Sequence, residues 1–180
     1  MENVIQVRDH LFEKYISEEQ IIPEIRRIAR EIEEDLGDKN PLFICILNGA
    51  FMFASDLSKE INMAHEMTFA KYSSYQGMQS TGILKEIMGP QAQVKGRYVV
   101  ILEDLIDTGF TVTQLRKIYK DQGAKEVRVA SMLSKPDALI EGALEPEYIG
   151  LEIPNDFIVG RGLDYNGVGR MLRDIYIIKE

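Results

Sequence analysis

An α/β domain with a mostly parallel central sheet flanked by helices is what this 180-residue chain predicts. Three observations carry the prediction. Short apolar runs bounded by turn residues, such as "LFICIL" and "YVVIL", have the character of buried strands. These runs alternate with segments of helical spacing, the pattern of strands joined by crossover helices. Polar segments then follow three strand-like runs: Asn48 to Ala50, Glu103 to Thr111 and Ser134 to Asp137. In open sheets of this kind ligands sit outside the carboxyl ends of the strands, above all at a topological switch point, so three such loops at one edge would make a site.

The elements follow in order. Ser17 to Leu36 is predicted as a helix: Ser17 and Gln20 have capping-box spacing, and apolar residues recur every three or four positions. Gly37 suits its end, and Pro23 falls early, where a helix tolerates it best. Leu42 to Leu47 is a buried strand between Pro41 and Asn48-Gly49, and residues 50–61 again have helical spacing. "EMTFAKY" alternates like a strand, "SSYQGMQSTG" is a polar, glycine-containing loop, and "ILKEIM" returns as a strand. "RYVVIL" is the strongest strand, and "TVTQLRKIYKDQG" a helix closing on Gly123. "EVRVASML" and "YIGLEI" add two strands, with "FIV" and "DIYII" as shorter ones.

Length and composition fit one soluble domain, 45% hydrophobic and 28% charged, with no repeat, low-complexity segment or linker. No run approaches the roughly 18 apolar residues of a membrane span, and "MENVIQVRDH" lacks the basic-then-apolar order of a secretory signal. Cys45, the single cysteine, excludes an internal disulfide and reads as a small core residue, which fits a cytoplasmic home. A net charge of −8 argues against broad nucleic-acid binding, which needs a basic surface. An anionic small substrate would instead need local positive charge or a divalent metal.

Within "EDLIDTGFT" three carboxylates follow a run of apolar residues. Unpaired buried carboxylates are costly, so the cluster should be solvated at a strand end, bound to metal, or engaged with a ligand. Asp107, Thr108, Gly109 and Thr111 have the chemistry of a phosphate cradle. Gly109 lets backbone amides approach an anion, the threonine hydroxyls donate, and the start of the next helix favours negative charge. Glu103 and Asp104, one turn of loop away, offer acceptors for sugar hydroxyls. Donors for a phosphate beside acceptors for a diol describe a sugar phosphate. Neither a Gly-Lys-Ser/Thr loop nor a Gly-x-Gly-x-x-Gly turn is present.

"VVILEDLIDTGFT" resembles the phosphoribosyl-pyrophosphate (PRPP) signature of the type I phosphoribosyltransferases. "LNGAFMFASDL", "SSYQGMQSTG", "VRVASMLSKPD" and "YIGLEIPNDFIVGRGLDYN", with Arg170, narrow the likeness to the hypoxanthine–guanine phosphoribosyltransferases, from about Leu42 to Arg173. The resemblance implies the type I fold as a single domain over residues 1–180, with a small hood over a purine site formed from N- and C-terminal segments. It implies purine salvage: transfer of phosphoribosyl from PRPP to hypoxanthine or guanine, with Mg²⁺, in a homodimer or homotetramer. Glu103 and Asp104 match the acidic pair that holds the ribose hydroxyls directly or through Mg²⁺, and Asp107 the general base or proton shuttle near purine N7. Thr108, Gly109, Phe110 and Thr111 match the 5′-phosphate loop; Asn48, Gly49 and Arg170 match the pyrophosphate contacts. Lys135 matches the donor to the purine O6, Phe157 the stacking aromatic and Ile158 the backbone at the base edge, while Asp164 matches a carboxylate contacting Mg²⁺ near the purine pocket. Ser74 and Tyr75 match the tip of a flexible loop that closes over the reacting centre, and the helix from Ser17 a part of the hood or a subunit contact.

Two positions depart from the family pattern. Asn48 and Phe110 stand where basic residues are frequent, so positive charge is missing near anionic ligands; backbone amides remain, which implies altered affinity rather than lost activity. The peptide before Asn48 is cis in the family. Arg161 is either a further ligand contact or a solvated rim residue. The competing readings are a xanthine or guanine preference with the same chemistry, and a PRPP-sensing regulator without catalysis.

Overall fold

A computed structural model describes residues 3–74 and 84–179. Its larger sheet has the order β5-β4-β3-β6-β7-β8, from β3 (Leu42–Leu47), β4 (Glu66–Ser74), β5 (Leu84–Met88), β6 (Tyr98–Ile106), β7 (Glu126–Ser134) and β8 (Tyr148–Glu152). All neighbours pair in parallel except the β4–β5 hairpin. Period-two alternation divides the core. Phe43, Cys45, Val100, Leu102, Ala130 and Met132 face α1 (Glu18–Leu36) and α2 (Phe51–Glu60). Leu42, Ile44, Ile46, Val99, Ile101 and Val129 face α3 (Phe110–Asp121). Both faces are covered, which is why these strands read as apolar runs. The chain leaves β3 toward β4 but leaves β6 toward β7, so the sheet reverses direction between the adjacent strands β3 and β6.

Helix α1 begins after Ser17, whose N–H donates to the Gln20 side chain at 3.0 Å. It buries Ile21, Ile25, Ile28, Ala29, Ile32 and Leu36 in the core of the large sheet, so it is a layer of that core. Gly37 does end the helix, but in a right-handed conformation, with its amide bonded to Glu33 O at 2.9 Å.

Four antiparallel strands form a second sheet in the order β1-β2-β10-β9: Val4–Val7, His10–Ile16, Ile175–Ile178 and Ile158–Val159. Sequence reasoning did not find β1 and β2. Their alternation is partial, and β2 pairs with the far end of the chain, Ile16 opposite Ile175. Val7, Phe12, Val159 and Tyr176 make its small core. Among the described residues no helix is long and apolar enough to cross a membrane.

Candidate active site

Strand β6 runs four residues beyond the apolar run that announced it. Glu103 and Asp104 were expected in a loop; they lie inside β6, with Glu103 opposite Ser131 and the ladder to β7 intact as far as Ile106 opposite Ser134. Pairing with β7 carries the strand on past Leu102, the last β6 residue paired with β3, and both carboxylates are buried. Burial, then the charge of Asp104, raises the Glu103 carboxyl well above its ordinary range. Burial likewise lifts Asp104 to about 6, against the lowering pull of backbone amides and of Arg170. The fold thus holds two carboxyl groups whose charged forms are only partly compensated.

The loop after β6 turns through Gly109, at φ +76°, into α3. A Cβ there would lie 2.8 Å from the Ala143 Cβ, so the site is closed to larger residues as well as left-handed. The first amides of α3 have no intrahelical acceptor and open onto a cavity of about 200 Å³ lined by Glu103, Asp107, Thr108, Gly109 and Thr111. Phe110 is the first residue of α3, one position earlier than the periodicity suggested, and its N–H lies 3.4 Å from Thr108 Oγ1.

A second cavity of about 370 Å³ lies over the reversal between β3 and β6 and gathers eleven of the sixteen predicted site residues. Its wall includes Asn48, Gly49, Glu103, Asp104, Asp107, Thr111, Lys135, Phe157, Ile158, Asp164 and Arg170. Asn48 and Gly49 follow the Leu47–Asn48 peptide, which is cis as expected. Gly49 packs on Asp104 and Gly162 packs on Gly49: a Cβ on Gly49 would overlap the Asp104 carboxylate, and one on Gly162 would overlap the Gly49 carbonyl.

Lys135, at the end of β7, has only 8% of its side chain exposed; its Nζ lies 3.4 Å from Asp107 Oδ1 and 3.4 Å from Asn155 Oδ1. Asp107 is 54% exposed, so the pair joins a sheltered cation to an accessible carboxylate. Phe157 is half exposed. Its ring stands edge-on to Tyr165 at 5.7 Å and tilted to Phe12 at 6.3 Å, while Ile158 beside it is buried in β9. Arg170 binds Asp164 at 2.6 Å and the Gly162 carbonyl at 2.6 Å; Asp164 also accepts from the Gly167 amide at 2.7 Å. Ser74 contributes the last backbone position of β4, and Tyr75 lies outside the described residues.

Arg161 is neither a ligand contact nor a rim residue. It is fully buried, paired with Asp56 of α2 and, at 3.2 Å, with Glu18 of α1, and it donates to the Arg173 carbonyl at 3.0 Å. Its position beside Asp-Tyr-Asn suggested a site, but its backbone at φ +48° turns the side chain into the junction of the two sheets. Sequence reasoning missed Asn155, Tyr165 and Lys71, whose Nζ donates to Asn48 Oδ1 at 3.3 Å. Only sheet register, Lys71 opposite Leu47, reveals the last.

Among the described residues no group of three or more His, Cys, Asp and Glu side chains could hold a metal ion alone. Glu103 and Asp104 bring carboxyl oxygens to the cavity wall, the donor type that a hard cation such as Mg²⁺ takes beside phosphate oxygens. The buried, only partly compensated Glu103 and Asp104 pair fits such a cation.

Comparison with known proteins agrees with this arrangement. The phosphoribosyl transferase domain model matches residues 13–166. The hypoxanthine-guanine phosphoribosyltransferase of Streptococcus thermophilus is 36% identical over 165 residues, covering 91% of this chain and 91% of that protein. The crystal structure of a hypoxanthine phosphoribosyltransferase from Staphylococcus aureus superposes with a TM-score of 0.88 at 30% identity, over 93% of this chain and 91% of that one. A hypoxanthine-guanine phosphoribosyltransferase from Bacillus anthracis gives 0.87 at 32% identity, over 93% and 98%. With the parallel sheet, the cradle at its reversal and these relatives in agreement, the chain belongs to the phosphoribosyl transferase family, among the hypoxanthine-guanine phosphoribosyltransferases.

Proposed function

We propose that this enzyme salvages purines, moving the 5-phosphoribosyl group of PRPP onto N9 of hypoxanthine, and of guanine, to give IMP or GMP and pyrophosphate. The observation that carries the reading is a pair of cavities sharing Glu103, Asp107 and Thr111: one is lined by the Thr108–Gly109 turn, the other by a sheltered lysine and a half-exposed aromatic.

The reaction breaks the bond from C1 to the pyrophosphate oxygen and forms C1–N9. Positive charge grows on the ribose while negative charge grows on the leaving group. Thr108 to Thr111 and the start of α3 hold the 5′-phosphate, and Glu103 and Asp104 accept from the ribose hydroxyls. Asn48, Gly49 and Arg170 hold the pyrophosphate, for which a forked guanidinium is suited. Mg²⁺, held by Glu103 and Asp104 with Asp164 nearby, supplies positive charge to the phosphates when bound.

At the other end Phe157 stacks on the base, braced by Tyr165 and Phe12. Lys135 donates to O6, and Ile158 offers backbone to the base edge. Asp107, accessible and steadied by Lys135, takes the proton the purine loses at N7. Adenine presents an amino group to Lys135 where a carbonyl is required, and a donor left unpaired in a sheltered site rejects strongly. Ser74 and Tyr75 belong to the cover that keeps water from the oxocarbenium-like centre. Self-association as a dimer or tetramer and a cytoplasmic home belong to the same reading. The exposed apolar residues Phe51, Val168 and Met171 around one groove support the former, and sedimentation would measure it.

Pyrophosphate release from PRPP and Mg²⁺ with hypoxanthine, guanine, xanthine, adenine and orotate in turn tests the reading. Turnover confined to the 6-oxopurines is expected. Tight PRPP binding without turnover on any base would leave a regulator instead.

A further inference from the structure

Two cations line the larger cavity, Lys135 and Arg170, against four carboxylates: Glu103, Asp104, Asp107 and Asp164. Both cations are already engaged, Lys135 with Asp107 at 3.4 Å and Arg170 with Asp164 at 2.6 Å. A pyrophosphate group entering over Asn48 and Gly49 therefore meets a site whose own positive charge is committed. Asn48 contributes none.

Lys71 lies one strand away. It sits near the end of β4 opposite Leu47, the residue that opens the cis peptide, and is half-buried there. Its Nζ rests 3.3 Å from Asn48 Oδ1, and among the described residues it pairs with no carboxylate. A neutral amide oxygen aims an ammonium group without neutralising it. The four-carbon stem lets that group move onto an anion while the strand stays in place.

We propose that Lys71 is a second cation, beside Arg170, for the pyrophosphate end of the substrate, supplied from β4, and that Asn48 is its positioning residue. The loop after β3 then shows its amides and Asn48 to the ligand, and the second charge comes from the neighbouring strand. This rests on the phosphoribosyl-transfer reading, which turnover of the unaltered chain with hypoxanthine tests separately.

The test is a binding cycle on the full chain. Pyrophosphate with Mg²⁺ is titrated by calorimetry into the wild type, Lys71→Met, Asn48→Lys and the double variant. Lys71→Met should weaken binding about tenfold, a typical effect for a charge-assisted contact. Asn48→Lys should recover most of the loss in the Lys71→Met background, because it returns a cation to the same anion, and should gain less in the wild type, where Lys71 already serves it. In turnover assays the KM for PRPP should follow the binding, while the KM for hypoxanthine moves less than about twofold.

Wild-type pyrophosphate affinity in a folded Lys71→Met protein would overturn the proposal. So would an equal gain from Asn48→Lys in both backgrounds, or equal losses for PRPP and hypoxanthine. If the methionine variant does not fold, Lys71→Gln makes the same comparison. Because the titrations need no turnover, they report on Lys71 even if the enzymatic reading fails.

Discussion

Glu103 and Asp104 lie buried in a central strand, where loss of solvent disfavours their charged forms. The sign of the consequence follows from proton binding. Between the unfolded carboxylate range and about 6, the folded chain holds more protons at Asp104 than the unfolded chain does. Stability of the ligand-free protein should therefore fall as pH rises through that window. Asp104→Asn should raise ligand-free stability at pH 7.5 by about 2 kcal/mol and flatten this dependence. Urea unfolding at pH 5 and 7.5 measures both, and a variant less stable than the wild type at pH 7.5 would contradict the charge argument. PRPP with Mg²⁺ should reverse the order, stabilising the wild type more than the variant. The sequence made these carboxylates conspicuous, but not their burial, because charge alone marks a loop and the ladder to β7 is a long-range fact. Arg161 failed in the opposite direction. Its motif suggested solvent or ligand, while its two carboxylate partners come from α1 and α2, far away in sequence.

At the scale of elements, the β6–α3 connection was the most legible part of the chain. Its apolar run, its glycine and its threonines each have a local physical reason, and the structure puts a left-handed Gly109 at the helix start. Gly109→Ala should cost about 2 kcal/mol, through the positive φ and the contact with Ala143, and should raise the KM for PRPP more than that for hypoxanthine. Chemical denaturation and steady-state kinetics would show it; a variant with unchanged PRPP affinity would detach this turn from phosphate binding. Strand β3 was equally legible because it is apolar on both faces, and its bounds agree at Leu42 and Leu47. The edges were not. Strands β1 and β2 carry half-polar patterns whose sense depends on β10, so no local window reveals them.

Over the whole molecule, the two sheets meet where Arg161 clamps Asp56 and Glu18 and where Gly162 rests on Gly49. The Asn48–Gly49 loop is thus pressed between the large sheet and the strap that carries Asp164 and Arg170. Arg161→Met should destabilise the protein by about 2 kcal/mol, since it removes the buried guanidinium that joins Asp56, Glu18 and the Arg173 carbonyl, while Asp56 keeps Lys59 and Glu18 keeps Arg173. Adding Asp56→Asn should cost less than the sum of the single changes. The same junction sets the two cavities in register, the Thr108–Gly109 turn beside one sheet and Phe157 beside the other. The most direct test of the account is the ratio of kcat/KM for hypoxanthine to that for adenine, in the wild type and in Lys135→Met. Lys135 as the O6 donor predicts a wild-type ratio on the order of 10³ or more, and a fall of about a hundredfold in the variant, mostly through hypoxanthine. A ratio unchanged by Lys135→Met would place the choice of base elsewhere and contradict the assignment on which the functional reading stands.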